Sequence, residues 1–202
     1  MIIRLLARML VVVLALVILF ISVARAGLEI MASDNSSPKN NEINFKIVNK
    51  DGEVVATAYK FPETGMLPSH MFYGVKQIRD YLWLSFSSGV HKLEVAQLLA
   101  DKKAAEAGQL LKAENEDKGI EAGNEAMDKL EYTSNLFGKT KLSESQIKQA
   151  SQQVFLAGHA YKELFSQAES QTNLDQQPYF KLISRIDDWN KEQEKNRKSW
   201  DY

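Results

Sequence analysis

The chain reads as a mainly α protein: an N-terminal signal or anchor helix, a short β-hairpin, then an antiparallel bundle of about five helices. Three observations predict this. One apolar run, Leu5 to Ala24, stands behind Arg4 and Arg8. Two β-rich stretches flank a turn-forming cluster at Asn49-Lys50-Asp51-Gly52. From Leu67 onward, apolar residues recur at helical spacing with no cysteine anywhere in the chain. The organisation that follows is a signal peptide or membrane anchor at 1–26, a polar spacer with a candidate hairpin at 27–64, and a helical bundle domain at 65–202.

The N-terminal run fits a secretory signal, and Ala24-Arg25-Ala26 before Gly27 has the form of a cleavage site. A spanning helix needs about 20 apolar residues. Met9 to Val23 is short of that, but Leu5, Leu6 and Ala7 extend it if Arg8 snorkels to the headgroups. Cleaved signal and retained anchor both stay open. The basic residues ahead of the run place the rest of the chain outside the cytoplasm in either case, secreted or periplasmic after cleavage near Ala26, or anchored at the cytoplasmic membrane. With no cysteine after the run, a diacylated lipoprotein is excluded.

Arg4, Arg8 and Arg25 are the only charged residues of this segment. The remainder holds 22 of the 25 basic groups against all 26 acidic ones, a net charge of −4 (22 − 26). A mixed, mildly acidic surface argues against general nucleic-acid binding. Zero cysteines removes both a disulfide framework and thiolate chemistry, so packing alone holds the fold.

Leu28 to Asn44 is rich in Ser, Asn, Asp and Lys, and reads as a spacer. Phe45–Val48 and Val54–Tyr59 are the two strands of the hairpin, which is marginal alone and must pack on the helices or stay loose. Phe61-Pro62-Glu63-Thr64-Gly65 resembles a sortase sorting signal. With 137 residues following it (202 − 65) and no apolar stop among them, it reads better as a connector.

Ser69 is a candidate N-cap for the first helix, and Met71, Val75, Ile78, Leu82 and Phe86 fall on one of its faces. Phe72 and Tyr73 staple the first turn and Lys76 faces water. Tyr81, Trp83, Leu84 and Phe86 crowd the helix end. Core packing is their first reading; exposed, they mark a partner surface or an interfacial membrane contact. Ser87-Ser88-Gly89 breaks the helix. Val90, Leu93, Ala96, Ala100, Ala107 and Leu110 mark the second helix, and Ile120, Met127, Leu130 and Phe137 the third. A polar turn at Asn115–Gly119 makes these two an αα-hairpin. Ser143 and Gln146 have capping-box spacing for the fourth helix, carried by Ile147, Ala150, Val154, Ala157, Tyr161, Leu164 and Ala168. Pro178 opens the fifth, marked by Tyr179, Leu182, Ile186 and Trp189.

No catalytic, cofactor or metal constellation stands out. His91 with Glu94, and His159 with Glu163, share helix faces but lie on different helices, short of the three or four convergent ligands a metal needs. The acids Glu114, Glu116, Asp117, Glu121 and Glu125 read as a solvated helix face, and neither a nucleophile elbow nor a phosphate loop occurs. No enzyme activity, no cofactor and no nucleic-acid partner are expected.

Leu67-Pro68-Ser69-His70-Met71-Phe72-Tyr73-Gly74-Val75-Lys76, followed by Lys92-Leu93-Glu94-Val95-Ala96, resembles the opening of a family of uncharacterised bacterial extracytoplasmic domains, a domain of unknown function. Those domains begin with an L-P-x-S/H-x-x-Y-x-x-K pattern and continue into an alanine- and glutamate-rich αα-hairpin. Met71 stands where that family commonly has proline. The resemblance covers Leu67 to Phe137 and implies an exported bacterial helical domain with no known activity. Separately, Leu142-Ser143-Glu144-Ser145-Gln146 is similar to the L-[ST]-x-x-Q signature of small periplasmic helical chaperones.

The functional expectation is therefore a non-enzymatic, exported or membrane-tethered interaction or scaffold module of the bacterial cell envelope. It would bind an envelope protein and touch the membrane through its N-terminal segment if that is uncleaved. The alternative is an envelope chaperone or stress-sensing protein that binds unfolded clients.

Overall fold

The structure, a computed structural model, describes Ile18 and residues 42–48, 52–172 and 176–199. The signal or anchor segment, Ile18 apart, and the spacer to residue 41 lie outside the described residues. Among those described, the molecule is mainly helical with one two-stranded antiparallel sheet: β1 (Glu42–Val48), β2 (Val54–Lys60), α1 (Tyr73–Phe86), α2 (Gly89–Lys112), α3 (Glu116–Leu136), α4 (Glu144–Gln171) and α5 (Gln177–Ser199). None of these helices is long and apolar enough to cross a membrane.

The hairpin pairs Glu42 with Lys60 at one end and Val48 with Val54 at the other. It starts three residues earlier than the hydrophobic pattern shows, because Glu42-Ile43-Asn44 extends the ladder where composition reads as spacer. Gly52 adopts φ 81°, a left-handed conformation that favours glycine. The hairpin does not stand alone. Phe45, Ile43, Ile47 and Tyr59 on one face, with Phe61 just beyond, join the main core, so packing supplies what a two-stranded ribbon lacks.

Helices α2 to α5 run up and down. Pairings of Leu111 with Gly119, Lys103 with Glu125, and Leu93 with Leu136 trace the antiparallel α2–α3 hairpin. Gly158 against Trp189 and Lys162 with Asp187 trace α4 against α5. The core between them carries Ala100, Ala104, Ala107, Met127, Leu130, Tyr161, Phe165, Leu182 and Ile186, all at 1% exposure or less. Alanine and glycine steps let the axes close. A Cβ on Gly123 would meet Leu182 and Phe165, and one on Gly158 would meet the Trp189 ring. The capping box at the start of α4 forms as its spacing predicts: the Gln146 amide N–H donates to Ser143 Oγ, and the Ser143 N–H donates to Gln146 Oε1 at 2.9 Å.

Helix α1 departs from the pattern. It begins at Tyr73, not near Ser69: residues 67–72 form turns in which His70 N–H donates to the Leu67 carbonyl and Tyr73 N–H to that of His70. It then lies on the outside of α2, burying Trp83 against Val95 and Leu99 in a small core of its own.

Candidate functional site

The roll of α1 about its axis sets which of its residues meet solvent. Tyr73, Lys76, Asp80 and Trp83 recur every three or four residues and so share one face. On the other side, Met71 at the entry and Val75, Ile78 and Phe86 along the helix form an apolar stripe with half-buried Leu82. Burial by apolarity alone would turn the stripe inward. It faces out: Met71 is 86% exposed, Val75 56%, Ile78 55% and Phe86 84%. Phe72 and Tyr81, also exposed, flank it.

A buried charge network accounts for the inversion. The Lys76 ammonium, expected at the surface, is buried and donates to Glu106 Oε2 (2.9 Å) and to the Thr64 and Met66 carbonyls (3.2 and 3.1 Å). Lys103 donates to Glu106 Oε1 (2.8 Å) and to the Tyr73 hydroxyl (2.8 Å), and pairs with Glu125 (2.9 Å). The Tyr73 hydroxyl in turn donates to Glu106 Oε1 (2.7 Å). Each ammonium thus finds three acceptors, matching its three protons. Burial alone would raise the Glu106 carboxyl, but its donors Lys103, Tyr73 and Lys76 outweigh that and hold it below the usual range. Lys103 is pulled down by burial and raised further by Glu106, Tyr73 and Glu125, so it stays charged.

A connector completes the clamp. Thr64, in the Phe61–Gly65 stretch, is buried and donates to Gln109 Oε1 at 3.0 Å while its carbonyl receives Lys76. Pro62 and Gly65 therefore serve a packed strap from the hairpin to α1. A cleft of about 190 Å³ opens beside the clamp, lined among others by Gln77, Tyr81, Leu84, Lys102 and Lys129.

The aromatic group at the end of α1 is divided. Trp83 is buried and Leu84 half-buried against α2, whereas Tyr81 and Phe86 point out. Sequence periodicity misses the inner half of the site. Its signal was an acid enclosed by small residues: Glu106 stands in Ala104-Ala105-Glu106-Ala107-Gly108, a run suited only to a helix in tight contact.

Other titratable groups are engaged elsewhere. Asp101 is buried and accepts from Tyr59 (2.8 Å), Tyr161 (2.9 Å) and Gln97 (3.1 Å), joining β2, α4 and α2. Burial raises its pKa to about 6, against the lowering effect of those donors. It lines neither the cleft beside α1 nor the one of about 350 Å³ walled by Ile43, Leu111, Leu164 and Tyr179. In that second cleft Glu116 accepts from Thr172 and Tyr179, and the Tyr179 hydroxyl is pushed up to about 12 by burial and the Glu116 charge. His91 contacts Glu94 at 3.4 Å, as their spacing implies. His159 instead sets its ring against Phe45 and Phe155, and Glu163 accepts from Gln167. Among the described residues no three acidic or histidine side chains converge as metal ligands.

Comparison of the chain with protein-family models, with curated proteins and with solved structures gives no match in any of the three.

Proposed function

We propose that this chain is a non-enzymatic interaction module of the bacterial cell envelope, exported or held at the membrane by its N-terminal run, and that α1 is its working element. The observation that carries the reading is the inverted roll of α1. Burying two lysines and a glutamate is costly unless every partner is in place. Keeping an apolar stripe in water forgoes burial energy as well. A fold that does both holds the stripe available, and exposed apolar patches of this kind mark contact surfaces. The resemblance of the Leu67–Lys76 opening to bacterial extracytoplasmic domains supports the proposed compartment.

The test is in-cell photocrosslinking of the full-length chain with a photoreactive residue at Ile78 or, for comparison, at exposed Gln152 on α4, with the adducts identified by mass spectrometry. The expected result is adducts from position 78 well above those from 152. Equal labelling at 78 and 152, or neither protein nor lipid adducts at 78, would remove α1 as the working surface. A spread of many unrelated unfolded proteins at 78 would favour the chaperone reading over the scaffold.

A further inference from the structure

We propose that the surface α1 engages is the lipid bilayer itself, with the helix lying flat at the headgroup–acyl boundary of the membrane that holds residues 5–24. The inference rests on the proposed function, with the N-terminal run retained. Three observations select a bilayer over other occupants.

The first is reach. Seventeen residues, 25–41, separate the apolar run from β1. Even fully extended, a chain of that length spans no more than about 60 Å. The bilayer is thus the apolar phase held nearest to the domain, and tethering makes a weak contact effective without new affinity.

The second is area. A helix of 14 residues presents a strip of about 20 by 10 Å. A stable protein interface takes about 800 Å² from each partner. The strip alone falls well short of what a second copy of this chain would need, but a tethered interfacial helix has no such threshold.

The third is chemistry. Met71, Val75 and Ile78 form the apolar midline, with the aromatic side chains of Phe72, Tyr81 and Phe86 around it, residue types suited to the membrane–water boundary. The charged residues of α1 are Lys76, Arg79 and Asp80. Lys76 is held in the clamp, and the Arg79 guanidinium donates to Asp80 Oδ1 through Nε (3.0 Å) and Nη2 (2.7 Å). The helix therefore brings no unpaired charge to the lipid.

Because the chain has no cysteine, one introduced thiol labels cleanly. The experiment places an environment-sensitive fluorophore at Ile78→Cys, at Phe86→Cys or at the control Gln152→Cys. The full-length chain is then reconstituted into phosphatidylethanolamine–phosphatidylglycerol vesicles. The expected result is a blue shift and several-fold stronger quenching by nitroxide-labelled lipid at 78 and 86 than at 152, unchanged as the protein-to-lipid ratio is varied. Adding Ile78→Asp to the Phe86→Cys protein should return position 86 to the control level. Quenching of position 78 by aqueous iodide as strong as that of 152 would overturn the inference. So would protection that grows with protein density, which assigns the face to a second copy. If the vesicles fail but Ile78 crosslinks to one protein in cells, the bilayer assignment falls and the interaction module stands. If both fail, both readings fall.

Discussion

Lys76 Nζ lies 2.9 Å from Glu106 Oε2 with both side chains buried, at 8% and 1% exposure. That pair decides which way α1 faces. Glu106 serves two ammonium groups at once, Lys76 on α1 and Lys103 on α2. Replacing it by glutamine leaves both cations without their shared countercharge. Breaking a buried pair in this way costs about 3–5 kcal/mol, and urea denaturation of Glu106→Gln should show a loss of that order. Lys76→Met should cost distinctly less, because Glu106 keeps Lys103 and the methionine stem fills much of the same space. Equal losses for the two variants would contradict the shared-countercharge description.

Asp101 gives the fold a pH dependence of unusual sign. Its native carboxyl titrates near 6, above its ordinary value of 3.8, because burial disfavours the charge. The native state therefore holds the proton more tightly than the unfolded chain. Stability from this group is full below the ordinary value and is lost as pH rises through about 6. The difference is on the order of 3 kcal/mol. Glu106, held below its ordinary value of 4.5, works the other way: its contribution is present above 4.5 and is lost as pH falls through its native value. Unfolding midpoints should thus rise from pH 7 to pH 5 and drop in stronger acid. Asp101→Asn should remove the first of these trends and leave the second.

Gly158 on α4 lies where α5 crosses it, with Trp189 and Asn190 occupying the space a side chain would need. Gly158→Ala should cost about 1–3 kcal/mol through overpacking, despite alanine's better helix propensity. A thermal melt showing stabilisation would mean the two helices do not pack at this point.

The capping box is a smaller, local device. Ser143→Ala removes the oxygen that receives the Gln146 N–H and should cost about 1 kcal/mol. The loss should be seen in hydrogen exchange confined to the first turn of α4, with the α2–α3 pair unaffected.

The bundle was legible because its signals are local. The Ala and Leu spacings of α2, the Ser143–Gln146 box and Pro178 at the second residue of α5 each state an element's place with no knowledge of the partner. The roll of α1 was not legible in that way. Its apolar stripe at Met71, Val75, Ile78, Leu82 and Phe86 is a regular helical pattern, and regular patterns point inward. What overrides it is a contact between Lys76 and Glu106, thirty positions away, together with carbonyls of a strap that reads as a loop. Packing of the hairpin was equally non-local, since it depends on Tyr59 reaching Asp101 and Phe45 reaching the face of α4.

The orientation of α1 makes its own energetic prediction. Ile78 and Phe86 are 55% and 84% exposed, whereas Trp83, between them in sequence, is 7% exposed. Ile78→Ser and Phe86→Ser should each change stability by no more than about 0.5 kcal/mol, the usual range for surface positions. Trp83→Ala should cost about 3–5 kcal/mol, the toll of emptying a large buried site. A helix rolled by sequence periodicity, stripe inward, predicts the reverse order. Denaturant titration of the three variants in the same buffer separates the two arrangements directly. If the serine variants prove the costly ones, the clamp does not set the roll of α1, and the contact surface assigned to it belongs to the core.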